Sequence, residues 1–174
     1  MILRGYDDLP PGFLTAAHRL LSGLVRDGAA LGWVAPPSFR EISELVEEVS
    51  SASAAGDASL RAAYVDDHLV GLGYWLRYAR PTHRPHADLE KVAVGRAWHG
   101  QGIGRALTET LIADARSARV EMLTLDARGD NLAAHGLYQS LGFTEYGRLH
   151  DFVAVGDRRW DKVFYVLDLR HDAT

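Results

Sequence analysis

Cysteine is absent from this 174-residue chain. That excludes a disulfide framework, a cysteine zinc ribbon and a thiol nucleophile. Lysine is nearly absent, since Lys91 and Lys162 are the only lysines among 19 basic residues. A net charge of −4 offers no broad basic face and argues against nucleic acid or an anionic membrane as partner. No apolar run approaches the ~18–20 residues of a membrane span. The opening MILRGYDDLP has neither the basic flank nor the apolar run of a secretory signal, so a cytoplasmic location is expected. No repeat, low-complexity tract or linker divides the chain. With 47% hydrophobic and 24% charged residues, it reads as one globular domain over residues 1–174, with no need of a structural metal.

Apolar spacing places the elements. Ile2 to Tyr6 can form a short opening strand. Phe13, Ala17, Leu20, Leu21, Leu24 and Val25 recur at helical spacing as far as Gly28. Ser38 with Glu41 makes a capping box ahead of a second helix bearing Ile42, Leu45, Val46 and Val49. Ser50–Ser59 reads as a helix end and loop. Leu60–Val65 and Leu69–Tyr78 read as a hairpin around Asp66-Asp67-His68. After a turn-rich loop from Arg80 to Pro85, the order continues with a strand at Leu89–Val94, a helix at Ile103–Ala118 and a strand at Val120–Asp126. A short helix at Asn131–Leu141 and strands near Thr144–Val155 and Lys162–Leu169, joined at Gly156–Arg159, complete it. The strand–helix–strand unit from 89 to 126 requires a crossover, hence a parallel pair, whereas the short turns elsewhere require antiparallel pairing. A mixed, mostly antiparallel α/β sheet with helices on both faces is expected.

The chemistry concentrates between a strand and a helix, at His99-Gly100-Gln101-Gly102-Ile103-Gly104-Arg105. Glycines there let backbone N–H groups converge, and the first N–H groups of a helix lack internal partners. Such a turn can cradle a pyrophosphate, or it can simply close strand onto helix. A Walker loop is excluded because Arg105-Ala106 follows the last glycine in place of Lys-Ser or Lys-Thr. The element order does not fit the doubly wound sheet of a dinucleotide fold. His83, His86 and His99 lack the companions of a metal site, and no metal is expected.

Leu89–Val94 followed by His99–Gly104 resembles the acetyl-CoA-binding core of the GNAT superfamily of N-acetyltransferases. The family loop reads Gln/Arg-x-x-Gly-x-Gly/Ala. Gly102 and Gly104 match its small positions, while His99 departs from Gln or Arg. Asn131 to Tyr138, then Leu141-Gly142-Phe143, is similar to the second hallmark, an Asn before a short Tyr-bearing helix that ends in Gly-Phe. The resemblance implies a GNAT-like fold with one splayed parallel pair and acetyl-CoA as acyl-donor cosubstrate. Val92, Ala93 and Val94 would bind it through their backbone. His99, Gly100, Gln101, Gly102, Ile103, Gly104, Arg105, Asn131 and Tyr138 would complete the site. More narrowly, Gly28–Trp33, Met122–Asp126 and Asp157–Tyr165 are similar to the tabtoxin-resistance acetyltransferases, which act on a β-lactam amino-acid toxin. That likeness implies Asp88 and Asp126 as the catalytic carboxylates, with Asp88 one methylene shorter than the usual Glu.

Acetyl transfer to an amine needs a proton acceptor for the ammonium and a proton donor for the departing thiolate. Asp88 and Asp126 are the candidate acceptors, with Glu90 the rival on the same strand face. Tyr138 is the candidate donor. Each has a plainer use: a solvated strand-end carboxylate for Asp88 and Glu90, a turn cap for Asp126, an N-cap for Asn131, core packing for Tyr138. Trp33 is a candidate substrate contact, and Trp75, Tyr78 and Trp98 are candidates for the core or the mouth. The expected activity is N-acetylation of a small-molecule amine, a toxin or antibiotic with an amino-acid-like head, by a monomer or homodimer. The alternatives are a protein lysine or N-terminal acetyltransferase and a non-catalytic acyl-CoA sensor.

Overall fold

The computed structural model describes residues 1–170. Seven strands form one sheet in the order β1-β2-β3-β4-β5-β7-β6. They are β1 (Ile2–Gly5), β2 (Ala58–Val65), β3 (His68–Arg77), β4 (His86–Val94), β5 (Met122–Arg128), β6 (Thr144–Val155) and β7 (Arg158–Asp168). Helices α1 (Phe13–Arg26) and α2 (Phe39–Ala54) cover one face, while α3 (Ile103–Ser117) and α4 (Leu132–Ser140) cover the other. All pairings are antiparallel except β4 with β5, which is the mixed sheet expected from the element order.

Local chemistry accounts for the ends of most elements. Ser38 and Glu41 form the capping box of α2 in both directions. Asp66 and Asp67 both take positive φ, the conformation that suits a two-residue hairpin turn to the strand twist, so β3 begins at His68. Several boundaries differ from expectation. β2 begins at Ala58, inside the small-residue patch, because its alanines pack under α2. The last hairpin turns at Gly156–Asp157, so Arg158 and Arg159 belong to β7. β5 runs on to Arg128, which places Asp126 within the strand.

The parallel pairing also lies elsewhere than expected. It consists of His86, Ala87 and Asp88 opposite Met122, Leu123 and Thr124. These β4 residues precede the apolar run Leu89–Val94 that marks the strand in the sequence.

β3 carries glycine at two positions on its α3 face. A Cβ at Gly71 would lie 2.9 Å from the Ala93 carbonyl oxygen and 3.1 Å from Leu107 Cδ1. One at Gly73 would lie 3.1 Å from Val92 Cγ2 and 3.2 Å from Leu111 Cδ1. Their bare backbone lets α3 sit close against β3. Gly71→Ala is therefore expected to cost ~1–3 kcal/mol by overpacking. Urea unfolding measures this, and an unchanged midpoint would mean that α3 rides outward freely.

Candidate active site

Beyond Asp88 and Thr124, β4 and β5 part. A bulge in β4 drives the separation: Lys91 and Val92 together oppose Gly73, and Lys91 takes φ +52°. Positive φ is uncommon for a side-chain-bearing residue, and the extra residue bends its strand. The gap opens into a cleft of about 720 Å³. It is lined by Asp88, Glu90, Val92, Ala93, Val94, His99, Asp126, Asn131 and Tyr138, all singled out in the sequence. Gly100–Arg105 lie outside this lining, at the start of α3. Trp33 lines a neighbouring cavity of about 410 Å³ that shares Glu90 and Lys91 with the cleft, and its ring lies 4.6 Å from the Lys91 ammonium.

One end of the cleft is made of backbone. From Leu89 to Val94, β4 bonds to β3 on one side and leaves its other edge unpaired by β5. N–H and C=O groups that β5 leaves unpaired there suit an amide-bearing chain lying alongside as an extra strand. Past it, Gly100 and Gly102 both take φ +76°, which glycine adopts without steric cost. Gly102 is the N-cap of α3 and supplies no side-chain hydrogen bond. The first-turn N–H groups are thus left for a ligand, at the positive end of the helix dipole. His99 folds back and donates from Nε2 to the Val94 carbonyl at 2.9 Å. These features fit coenzyme A, with amides along the strand edge and phosphate at the helix. Asn131 caps α4 by accepting from the Ala134 N–H, so the plainer role anticipated for it is present while it also lines the cleft.

The other end carries the titrating groups. Asp88, Glu90, Thr124 and Asp126 occupy the α1/α2 face of their strands, in register with or alternating from one another. Tyr138 comes from α4 on the opposite face, where it packs against Phe143 and Tyr165 with centroids 5.7 and 6.3 Å away. Base candidates and acid candidate thus line one cleft from opposite faces of the sheet. His135 anchors this arrangement, bridging the Tyr165 hydroxyl at 2.8 Å and the Gly129 carbonyl at 3.2 Å.

Burial pushes the Asp88 carboxyl up to about 6, opposed by the hydrogen bond from Thr124 and reinforced by the charges of Glu90 and Asp126. Burial, then the Asp126 charge, pushes the Tyr138 phenol up to about 12. Glu90 accepts from the Tyr74 hydroxyl at 3.1 Å and pairs with Lys91 at 3.6 Å. Asp126, with 43% of its side chain exposed, pairs with Lys162 at 3.0 Å. At about 6, the Asp88 carboxyl is suited to lose and gain a proton near neutral pH.

Among the described residues, no group of three or more His, Asp or Glu side chains is placed to hold a metal ion. Trp75 is buried in the core beneath α3. The cleft also contains Arg96, Arg128 and Lys162, which the sequence reading passed over. Arg128 follows Asp126 by two residues, so strand alternation alone could have placed it on that face. Lys162 arrives through the β5–β7 register, opposite Arg128. No local pattern announces it.

The family described as Acetyltransferase (GNAT) family matches residues 17–143, which include the glycine turn and the Asn131–Phe143 segment. The chain is 37% identical over 83 residues to the ribosomal protein bS18-alanine N-acetyltransferase of Escherichia coli (strain K12), covering 48% of this chain and 56% of that one. It spans about half the length of the curated relatives it matches in this way. Its fold is similar to that of an N-acetyltransferase from Staphylococcus aureus Mu50, with a TM-score of 0.87 at 19% identity over 97% of this chain and 98% of that one. It is also similar to a GNAT superfamily phosphinothricin acetyltransferase from Sinorhizobium meliloti in complex with AcCoA, with a TM-score of 0.82 at 18% identity over 96% and 87%. Acetyl-CoA is the acyl donor of this family. The chain belongs to the GNAT family of acetyltransferases.

Proposed function

We propose that this chain is an N-acetyltransferase that moves the acetyl group of acetyl-CoA to the amine of a small molecule with an amino-acid-like head, a toxin or antibiotic. One observation carries the reading: a half-buried carboxylate, Asp88, held at about 6 where the strands part, lines the same cleft as a protonated phenol, Tyr138. Acetyl-CoA supplies the thioester carbon. The backbone of Val92–Val94 holds the donor and offers an N–H to the oxygen on which charge develops. Asp88 takes the proton of the acceptor ammonium, and Tyr138 gives one to the departing sulfur. Asp126 and Glu90 draw the ammonium in by charge. Lys162 offers a cation to a carboxylate on the same acceptor, so the cleft complements both charges of an amino acid.

Acylation of a protein N-terminus is a second reading, favoured by the relative named for ribosomal protein alanine. A non-catalytic acyl-CoA sensor would have no use for the Asp88–Tyr138 pair. No helix among the described residues is long and apolar enough to cross a membrane. We place the enzyme in the cytoplasm as a monomer or homodimer, without nucleic acid.

The test is thiol release from acetyl-CoA across a panel of small amines, including tabtoxinine β-lactam and phosphinothricin, beside a peptide beginning with alanine. Turnover is expected with an amino-acid-like amine. Activity on the peptide with none on any small amine favours the protein reading, and none on either favours the sensor.

A further inference from the structure

Asp88 is the last β4 residue paired with β5, and the residue opposite it is Thr124. Thr124 Oγ1 lies 2.5 Å from Asp88 Oδ1, and the Tyr78 hydroxyl lies 2.5 Å from Thr124 Oγ1 and 3.5 Å from Asp88 Oδ1. Tyr78 follows the end of β3, where its N–H donates to the His86 carbonyl at 3.2 Å and its ring meets the edge of His83 at 6.0 Å. β4, β5 and the residue that follows β3 thus deliver one side chain each to a single line of oxygens.

We propose that Tyr78 and Thr124 are positioning residues, a hydroxyl chain that orients the Asp88 carboxylate and holds it ionised at the mouth of the cleft. The inference rests on the reading of Asp88 as the base.

Counting protons fixes the direction of the chain. An ionised carboxylate only accepts, so Thr124 must spend its one proton on Asp88. The Thr124 oxygen is then an acceptor, and the Tyr78 hydroxyl fills it. The alternative acceptor for Thr124, the Ala87 carbonyl, is 3.5 Å away and weak. The bond from Thr124 is stronger to the ionised carboxylate than to the neutral acid, whose oxygens carry less charge, so it favours the ionised form. The chain therefore opposes what burial does. Burial favours the neutral acid, and so do the carboxylates facing Asp88, Glu90 on β4 and Asp126 on β5. The phenols of Tyr74 on β3 and Tyr146 on β6 face it as uncharged groups, and Lys162 on β7 is engaged by Asp126. Thr124 is the group that offsets burial most strongly. Valine would fill the same volume in a strand, so the hydroxyl is what distinguishes threonine here.

The experiment follows the side-chain carboxyl ¹³C resonances of the full-length protein against pH, with no ligand present. The Asp88 signal is assigned by its loss in Asp88→Asn. Wild-type Asp88 is expected to titrate at about 6. Thr124→Val should move that midpoint upward by about one pH unit, a tenfold change in the protonation equilibrium, as for one lost hydrogen bond to a charged group. Thr124→Ser keeps the donor and should titrate as wild type. Tyr78→Phe should move the midpoint upward by less, since it removes the second link only. If Thr124→Val does not fold, Tyr78→Phe decides alone. A folded Thr124→Val with the wild-type midpoint overturns the proposal, as does a Thr124→Ser that shifts as far as Thr124→Val. The titration needs no acceptor, so an amine panel without turnover would refute the proposed function and leave this result standing.

Discussion

Asp88→Asn is expected to slow acetyl transfer at neutral pH by ~10²–10⁴-fold in single-turnover measurements, the range of a lost general base, and to stabilise the fold. The two effects share one cause. The Asp88 carboxyl is held at about 6, against an ordinary value of 3.8, chiefly because the charged form is buried. Between pH ~4 and about 6 the folded state therefore binds more protons than the unfolded state, and stability falls as pH rises through that window. Above it the penalty is complete, up to about 3 kcal/mol for a shift of this size. Asparagine cannot ionise and should regain much of this at pH 7.5 and nothing at pH 4. Thermal melts at the two values read the difference. Raising the pH should partly restore the rate, because more of the amine arrives deprotonated. Tyr138→Phe removes a donor, so its loss of rate should show no such rescue. Full single-turnover activity in Asp88→Asn would transfer the base role to Asp126, Glu90 or water.

Gly104→Asp should lower the affinity for coenzyme A by at least ~100-fold, close to 3 kcal/mol, while the protein stays folded. A Cβ on Gly104 would meet only Leu137 Cδ2 at 3.6 Å and Val94 Cγ2 at 3.8 Å, ordinary contact distances. Carboxylates are also favourable in the first turn of a helix. The fold accepts the substitution; a second anion at the start of α3 does not. The three glycines of the turn are therefore not equivalent. Gly100 and Gly102 are needed for their φ of +76°, whereas Gly104 is helical and has no such need. Calorimetry with coenzyme A is the measurement, and unchanged affinity would remove the phosphate from this turn.

Much of the site was legible because its parts are local. The capping box of α2, the glycine turn before α3 and the Asn-to-Phe segment around α4 depend on residues a few positions apart. Alternation along a strand sufficed to put Asp88 and Glu90 on one face. What was misplaced depends on partners distant in sequence. The parallel pair was expected in the apolar run Leu89–Val94, yet that run is the part that leaves β5. Apolar side chains report burial, and this segment packs against neighbours on both faces whether or not its edge is bonded.

By itself, then, the amino-acid sequence determined the order of elements, the mixed sheet and the glycine turn before α3. Each follows from short-range preferences and from the handedness of one crossover. Only the tertiary structure decided that the Asp88 carboxyl is pushed up to about 6. Asp88 and Asp126 are the same residue type on adjacent strands. One is half-buried opposite a threonine that bonds it, and the other is exposed beside Lys162, 36 residues further along the chain. A carboxyl's proton affinity is set by the water it loses and the charges it faces. Both are properties of the packed molecule and of no local stretch of sequence.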